Sequence, residues 1–363
     1  MPKSLGKRIV GDCLRIRESD LLWIHSWQHC HALAEEIAQE AQGRGASIMI
    51  STTSDALLQH VLKKAPQEAL VTPPDHWRQG VAKATAFVLL EGPEDPGILK
   101  AADKGKALSI MGHINGVLGS AVSNKTRTLR VRTPSFTQKA ARTYGISYQK
   151  WLETINQSLT ANQAEMMDLG QRIVDLLRSH SSIHISTQDG TDLRFRIRRS
   201  NITLDDGVID REDVQRKSFL ANLPAGTVTV AVEESSTEGS IAFDLPRAFL
   251  GEVIKGLRFD FNKGQLVKYR ALSNEATLTR AFRAAKGAKD RLGSITFGIN
   301  PRIKEKFGHS TDELIQGVVT LGLGDNTYLG GKNKSTFSYQ NSLSNAIVSI
   351  GPTVVIMEGK LSI

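Results

Sequence analysis

The chain has 363 residues, of which 40% are hydrophobic and 23% charged, and a formal net charge of +9. Its length allows two domains with sizeable cores, and its composition is that of an ordinary soluble globular protein, not of a disordered or fibrous one. No apolar run approaches the roughly 18 residues of a membrane span, and the start MPKSLGKRIVGDCLRIRESD lacks the apolar core of a secretory signal.

Two cysteines, Cys13 and Cys30, are too few for a disulfide scaffold or a four-cysteine zinc site and fit a reducing cytoplasm. A cytoplasmic protein with no membrane partner is therefore expected. From the N-terminus, DLLWIHS (20–26) reads as a strand. The segment WQHCHALAEEIAQEAQGRG that follows has Leu33, Ile37, Ala38 and Ala41 at helical spacing, with Gly43 and Gly45 as stop signals. ASIMIS (46–51) is the next strand, which completes a βαβ unit. Thr53, Ser54 and Asp55 can cap another helix, TAFVLLEG (85–92) reads as a buried strand, and LRVRTP gives one more before Pro134 opens a helix. Residues 148–179 are helical in pattern, from Trp151 and Ile155 to Leu176 and Leu177.

After His180 the texture becomes β-rich. SSIHISTQDGTDLRFRIRR is two alternating runs joined by Asp189-Gly190, a hairpin signal. FDFNKGQLVKYRAL repeats the device, VVIMEGKLSI closes the chain with it, and one helix is expected at about 273–288. These patterns predict an α/β domain over 1–180 and a β-rich domain over 181–363.

Part of the positive charge is organised. In DLRFRIRRSN, Arg194, Arg196 and Arg198 alternate with apolar residues, and Arg130 and Arg132 do the same around Val131. No aromatic platform or nucleic-acid motif accompanies these stripes, so solvated or acid-paired strand faces are expected and nucleic acid is not an expected partner. HSWQHCH gathers His25, His29 and His31 around Cys30, but across a strand end and a helix start, with no HExxH, so packing or loop roles are expected there instead of metal binding. GxSxG, a Walker-type loop and GxGxxG after the first strand are all missing.

Four blocks in order carry a family likeness: GTDLRFRI (190–197) with LDDG (204–207), NLPAGTVTVAVEESSTEGSIAFD (222–244), GSITFGINP (293–301) and GVVTLGLGDNTYLGGKNKS (317–335). Together they resemble the thermophilic aminopeptidase metallopeptidases of the aminopeptidase S and T type, whose relatives include ring-cleaving dihydroxypyridine dioxygenases. The resemblance implies an α/β N-terminal domain with a parallel sheet and a β-rich α+β C-terminal domain. It also implies a homodimer, and a C-terminal site in which carboxylates, histidines and a tyrosine hold two divalent ions. Here Thr227 and Ser294 stand where that pattern has glutamates and Thr320 where it has a histidine. Ser338 and Gln340 replace its closing His-x-Asp pair, and Tyr328 corresponds, within one residue, to the tyrosine.

Thr, Ser and Gln offer only neutral oxygens, which do not offset the dehydration of a divalent cation. The expectation is therefore a catalytically silent pseudoenzyme with no metal and no cofactor. It would bind a peptide or peptide-like ligand through Thr227, Ser294, Thr320, Tyr328, Ser338 and Gln340, with Arg194 and Arg196 adding charge. A recruiting role in maturing a peptide natural product would suit such a protein. The competing expectation is metal-independent hydrolase or lyase chemistry in the same cavity, through Tyr328, Tyr339, Ser338, Lys332 or Lys334.

Overall fold

The computed structural model describes residues 4–70, 72 and 74–363 and divides the chain into two compact units. One comprises Met1–Tyr148 with Gly207–Ala225, the other Gln149–Asp206 with Gly226–Ile363. The expected single division at residue 180 differs from this at three points. The helices of 148–179 belong with the β-rich unit, while residues 207–225 return to the α/β unit.

In the first unit the apolar runs form a five-stranded parallel sheet in the order Ser47–Thr53, Leu21–Trp27, Ala86–Leu90, Arg127–Val131, Leu220–Leu223. Ala86–Leu90 is buried along its whole length, as expected of a central parallel strand covered on both faces. The first crossover is the helix His31–Gln42, which turns Ala34, Ile37, Ala38 and Ala41 inward. Ser54 caps the next helix by accepting from the N–H of Leu57 at 3.2 Å. Pro134 begins only a 3-10 turn, and the helix proper, Gln138–Tyr144, starts at its cap Thr137, which accepts from Ala140 N–H at 2.9 Å.

The second unit holds two larger sheets. One has eight strands, in the order Gln265–Arg270, Arg258–Asn262, Glu238–Ala242, Asp192–Arg196, Ser182–Ser186, Ile347–Ile350, Thr353–Met357, Lys360–Leu361. Its hairpins fall where Asp189-Gly190, Lys263-Gly264 and Glu358-Gly359 supply positive φ. The other has five antiparallel strands, ordered Ser338–Leu343, Val319–Gly324, Leu292–Gly298, Thr227–Ala231, Thr203–Asp205. Its apolar face packs partly on the helix Gln163–Ser179, where Gly170 lets Leu204 and Ile299 approach closely. At the opposite edge that face meets the inner face of the eight-stranded sheet, with the Tyr339 ring 6.2 Å from Phe259, and Phe249 of the short hairpin Arg247–Phe249 and Glu252–Ile254 packs 5.0 Å from the same ring. Among the described residues no helix is long and apolar enough to cross a membrane.

Candidate functional site

Strand alternation gives the five-stranded sheet two chemically different faces. TVTVA and SITFG place Val228, Val230, Ile295 and Phe297 on the core side, and leave Thr227, Thr229, Ser294 and Thr296 on the other. The pairing registers then align Thr203, Thr229, Thr296, Thr320 and Ser342 in one row that crosses all five strands. Within it Thr229 Oγ1 lies 3.0 Å from Thr296 Oγ1, and Thr320 Oγ1 lies 2.7 Å from Ser342 Oγ. Thr296, Thr320 and Ser342 are buried, whereas Thr229 is half-buried. Sequence reasoning missed Thr203, Thr229, Thr296 and Ser342; the period-two hydroxyls of TVTVA were the available signal.

The neighbouring row holds Ala231, Ser294, Gly322 and Gln340. Gly322 matters here because a Cβ at that position would lie 2.3 Å from Ser294 Oγ and 3.7 Å from Gln340 Cγ, so the two side chains meet above bare backbone. Ser294, Thr320 and Gln340 are thus brought together. Ser338 lies one row further on, opposite Gly324. Thr227 lies two rows the other way, beyond the hydroxyl row and opposite Gly298. At about 4.8 Å between strands and about 6.8 Å between alternate residues, Thr227 and Ser338 are roughly 14 Å apart across the sheet and 20 Å along it. They share a face without converging.

The remaining expected residues lie elsewhere. Tyr328 sits in the 3-10 turn Thr327–Leu329 beyond the strand end, 55% exposed. Tyr339 faces the aromatic core on the opposite side of its strand, and Lys332 and Lys334 are solvent-exposed, so none of these is a desolvated group at the hydroxyl face. Arg194 and Arg196 belong to the eight-stranded sheet, on its outer face, where they border a shallow depression with His184, Ser236 and Glu238. That face is balanced by acids: Arg194 pairs with Asp192 at 3.5 Å and Arg196 with Glu233 at 3.4 Å. In the first unit Arg130 is held by Glu91, its Nε 2.7 Å from Oε2.

The glycine-rich loop after Val319–Gly324 is closed by its own polar side chains. Fully buried Asn326 donates to Gly293 C=O at 3.1 Å and accepts from Asn333 N–H at 2.8 Å. Asp325 accepts from the Thr327 hydroxyl at 2.8 Å and from Ser335 N–H at 3.0 Å. Glu234 anchors the outside of the loop by accepting from Lys332 N–H at 2.6 Å and from Arg198 Nη2 at 2.5 Å. Burial opposes ionisation of Glu234, but these hydrogen bonds and the Arg198 charge outweigh it and hold the carboxyl down at about 2.

The three histidines diverge. His25 is buried, its Nδ1 2.9 Å from Ser51 Oγ and its ring 4.4 Å from that of Trp77; burial pulls it down to about 4. Ser51 Oγ also accepts from Trp23 Nε1 at 2.7 Å, so one hydroxyl ties the two rings together. His29 Nε2 lies 2.9 Å from Pro134 C=O, and His31 Nε2 lies 3.6 Å from Glu35. Cys30, between them, is buried with its sulfur bonded to the Trp27 backbone, and burial pushes its thiol up.

The profile of the thermophilic metalloprotease family (M29) matches residues 3–324. The chain belongs to this family. AmpT from Thermus thermophilus superposes with a TM-score of 0.71 at 17% identity, covering 99% of this chain and 98% of that one. The 2,5-dihydroxypyridine dioxygenase of Pseudomonas putida superposes with a TM-score of 0.63 at 14% identity, covering 96% and 93%. At these identities the likeness is one of fold. No curated protein matches the chain in sequence.

A catalytic metal in an M29 chain needs anionic oxygens or imidazoles within about 2.0–2.6 Å of one point. The central donors here are two hydroxyls and an amide, and Asp205 lies at the edge of the face beside Thr227. Among the described residues no three His, Cys, Asp or Glu side chains are grouped to hold an ion. The donor set does not fit the metal site that the family resemblance implies.

Proposed function

We propose that this M29 chain is a metal-free, catalytically silent member of its family that binds a peptide or peptide-like ligand at the hydroxyl face of the five-stranded sheet. The observation that carries the reading is the row of five hydroxyls beside Ser294 and Gln340, where only neutral donors and acceptors are aligned. Hydroxyls and amides match the N–H and C=O groups of a peptide, each hydrogen bond contributing about 0.5–1.5 kcal/mol net. Half-buried Thr229, Ser338 and Gln340 are the side chains a ligand can reach, and buried Ser294, Thr320 and Ser342 form the floor. With several weak contacts and no charge anchor, selectivity rests on shape. A silent binder of this kind suits recruitment of a precursor in peptide natural-product maturation. Gene neighbours encoding a precursor peptide and modifying enzymes would support that context, and a catabolic operon would contradict it.

The test is calorimetric titration of the purified protein with a peptide library, alongside aminopeptidase assays with Zn, Co or Mn added. Peptide binding that falls on Gln340→Ala or Ser338→Ala, without turnover under any metal, is the expected result. Metal-dependent release of N-terminal residues would overturn silence, and binding unaffected by both substitutions would move the site elsewhere.

A further inference from the structure

The outer face of the eight-stranded sheet is charge-balanced around Arg194 and Arg196 but not at its far end, where Arg258–Asn262 pairs with the edge strand Gln265–Arg270. Alternation turns Phe259 and Phe261 into the core and leaves Arg258, Asp260, Lys268 and Arg270 on the outer side. The register sets Arg258 directly opposite Arg270, and Asp260 opposite Lys268. These four side chains line one depression of about 190 Å3.

Three cations there share a single carboxylate, which leaves a net charge of +2. That carboxylate is engaged elsewhere: Asp260 Oδ1 accepts from Ser240 Oγ at 2.7 Å and lies 3.4 Å from Arg258 Nε. Among the described residues Lys268 and Arg270 form no ion pair, and both are exposed. Glu275 follows closely in sequence but accepts from Ala271 N–H at 2.8 Å. Like charges directly opposite on neighbouring strands sit about 4.5–5.5 Å apart at Cβ and destabilise the pairing; a diagonal neighbour such as Lys268, at about 7–8 Å, is still within reach of long side chains. An anion bound among the three cations reverses that penalty.

We infer that this depression binds the phosphate group of a phosphate monoester. Such a group carries about −1.5 to −2 charge at neutral pH, which matches the two unpaired cations, whereas a carboxylate supplies half of that. The planar Arg270 guanidinium suits two phosphate oxygens at once, and Lys268 adds a point charge. Nucleic acid fits poorly, because Arg194 and Arg196 further along the face are already held by Asp192 and Glu233, so no continuous cationic stripe follows a backbone. The depression lies at the open end of the sheet, where a free ester or a phosphorylated side chain can enter. It belongs to a different sheet from the hydroxyl face and stands or falls separately from the peptide reading.

Calorimetric titration of the full chain with phenyl phosphate, compared with benzoate at equal ionic strength, reads the charge preference. Phenyl phosphate should bind roughly tenfold more tightly than benzoate. Lys268→Gln and Arg270→Gln should each weaken phenyl phosphate binding by roughly three- to tenfold. Asp260→Asn, which keeps an acceptor for Ser240 and removes the one negative charge, should strengthen it. A phosphoserine peptide that binds more tightly than phenyl phosphate identifies a phosphorylated chain as the source, and one that binds no better identifies a free ester. Equal binding of phenyl phosphate and benzoate by the unmodified protein overturns the proposal, as does phosphate binding that Lys268→Gln and Arg270→Gln both leave unchanged.

Discussion

The hydrogen bond between Thr320 and Ser342 offers the sharpest test of how the hydroxyl face is built. The two oxygens lie 2.7 Å apart, and the residues are 1% and 2% exposed, so neither can exchange its partner for bulk water. Thr320→Val keeps the shape of the side chain and removes the oxygen. It takes away one hydrogen bond and leaves the Ser342 hydroxyl buried without it, which should cost about 1–3 kcal/mol. Ser342→Ala should do the same from the other side. The double variant removes both polar groups, so its loss should be well below the sum of the single losses, with a coupling of about 1 kcal/mol or more. Urea unfolding followed by far-UV circular dichroism reads this as midpoint shifts at unchanged slope. Single variants within about 0.5 kcal/mol of the parent, or strictly additive losses, would show that the pair is not a buried hydrogen bond and that the face is open to water. Peptide affinity should survive Thr320→Val, because Gln340 and Ser338 remain. Thr320→Phe cannot make that distinction, since overpacking a site this enclosed itself costs about 1–3 kcal/mol.

Two buried groups, one in each unit, should respond to acid with opposite sign. Burial pulls His25 from 6.5 down to about 4, so the first unit should lose stability, on the order of 3 kcal/mol, as pH falls through that window, and His25→Asn should flatten the loss. Burial pushes Asp312 from 3.8 up to about 6, so the second unit should lose a similar amount as pH rises from about 4 to 6, and Asp312→Asn should remove that slope; amide exchange resolved by residue reads both. Light scattering at micromolar concentration should give a dimer mass, and Val267→Glu with Leu272→Glu, at side chains 62% and 88% exposed on and beside the open edge strand Gln265–Arg270, should shift it toward monomer; a monomeric parent refutes this. The purified protein should carry far less than one Zn, Fe, Mn or Co per chain by elemental analysis, whereas Ser294→Glu, Thr320→His and Gln340→Asp together should begin to recover zinc affinity.

Local signals carried much of the fold. Asp189-Gly190 and Asn262-Lys263-Gly264 announce hairpins because tight turns need positive φ, and the structure puts it at Gly190, Lys263 and Gly264. The helix at His31–Gln42 follows from the spacing of Ile37, Ala38 and Ala41. Leu220–Leu223 could not be read in the same way. It is a four-residue strand that joins the parallel sheet beside Arg127–Val131, and nothing local distinguishes it from the antiparallel strands around it in sequence. The division of the chain was misplaced for the same reason, since a long-range pairing decides where 207–225 belongs. At the site, likeness of sequence blocks indicated which strands carry it, but not how far apart their residues lie. That depends on register: Ser294 and Gln340 meet because both flank Gly322, whereas Thr227 is displaced by two rows.

Register also explains the loop that lacks catalytic side chains. In SYQNSL, Ser338, Gln340 and Ser342 face the hydroxyl row while Tyr339, Asn341 and Leu343 face the core, and a slip of one residue would exchange the two sets. The edge position of this strand leaves it paired on one side only, so something must fix its phase. The loop does so at the turn. Asp325 N–H donates to Phe337 C=O at 2.9 Å, Asp325 accepts from Ser335 N–H at 3.0 Å, and Gly324, at φ +101°, brings its backbone so close that a Cβ there would lie 2.1 Å from the same Phe337 oxygen. Any other residue at Gly324 would push the strand away from this closure. Asp325 and Asn326 therefore act on the proposed ligand without touching it, by holding Gln340 over Gly322 and keeping Tyr339 turned toward the aromatic core.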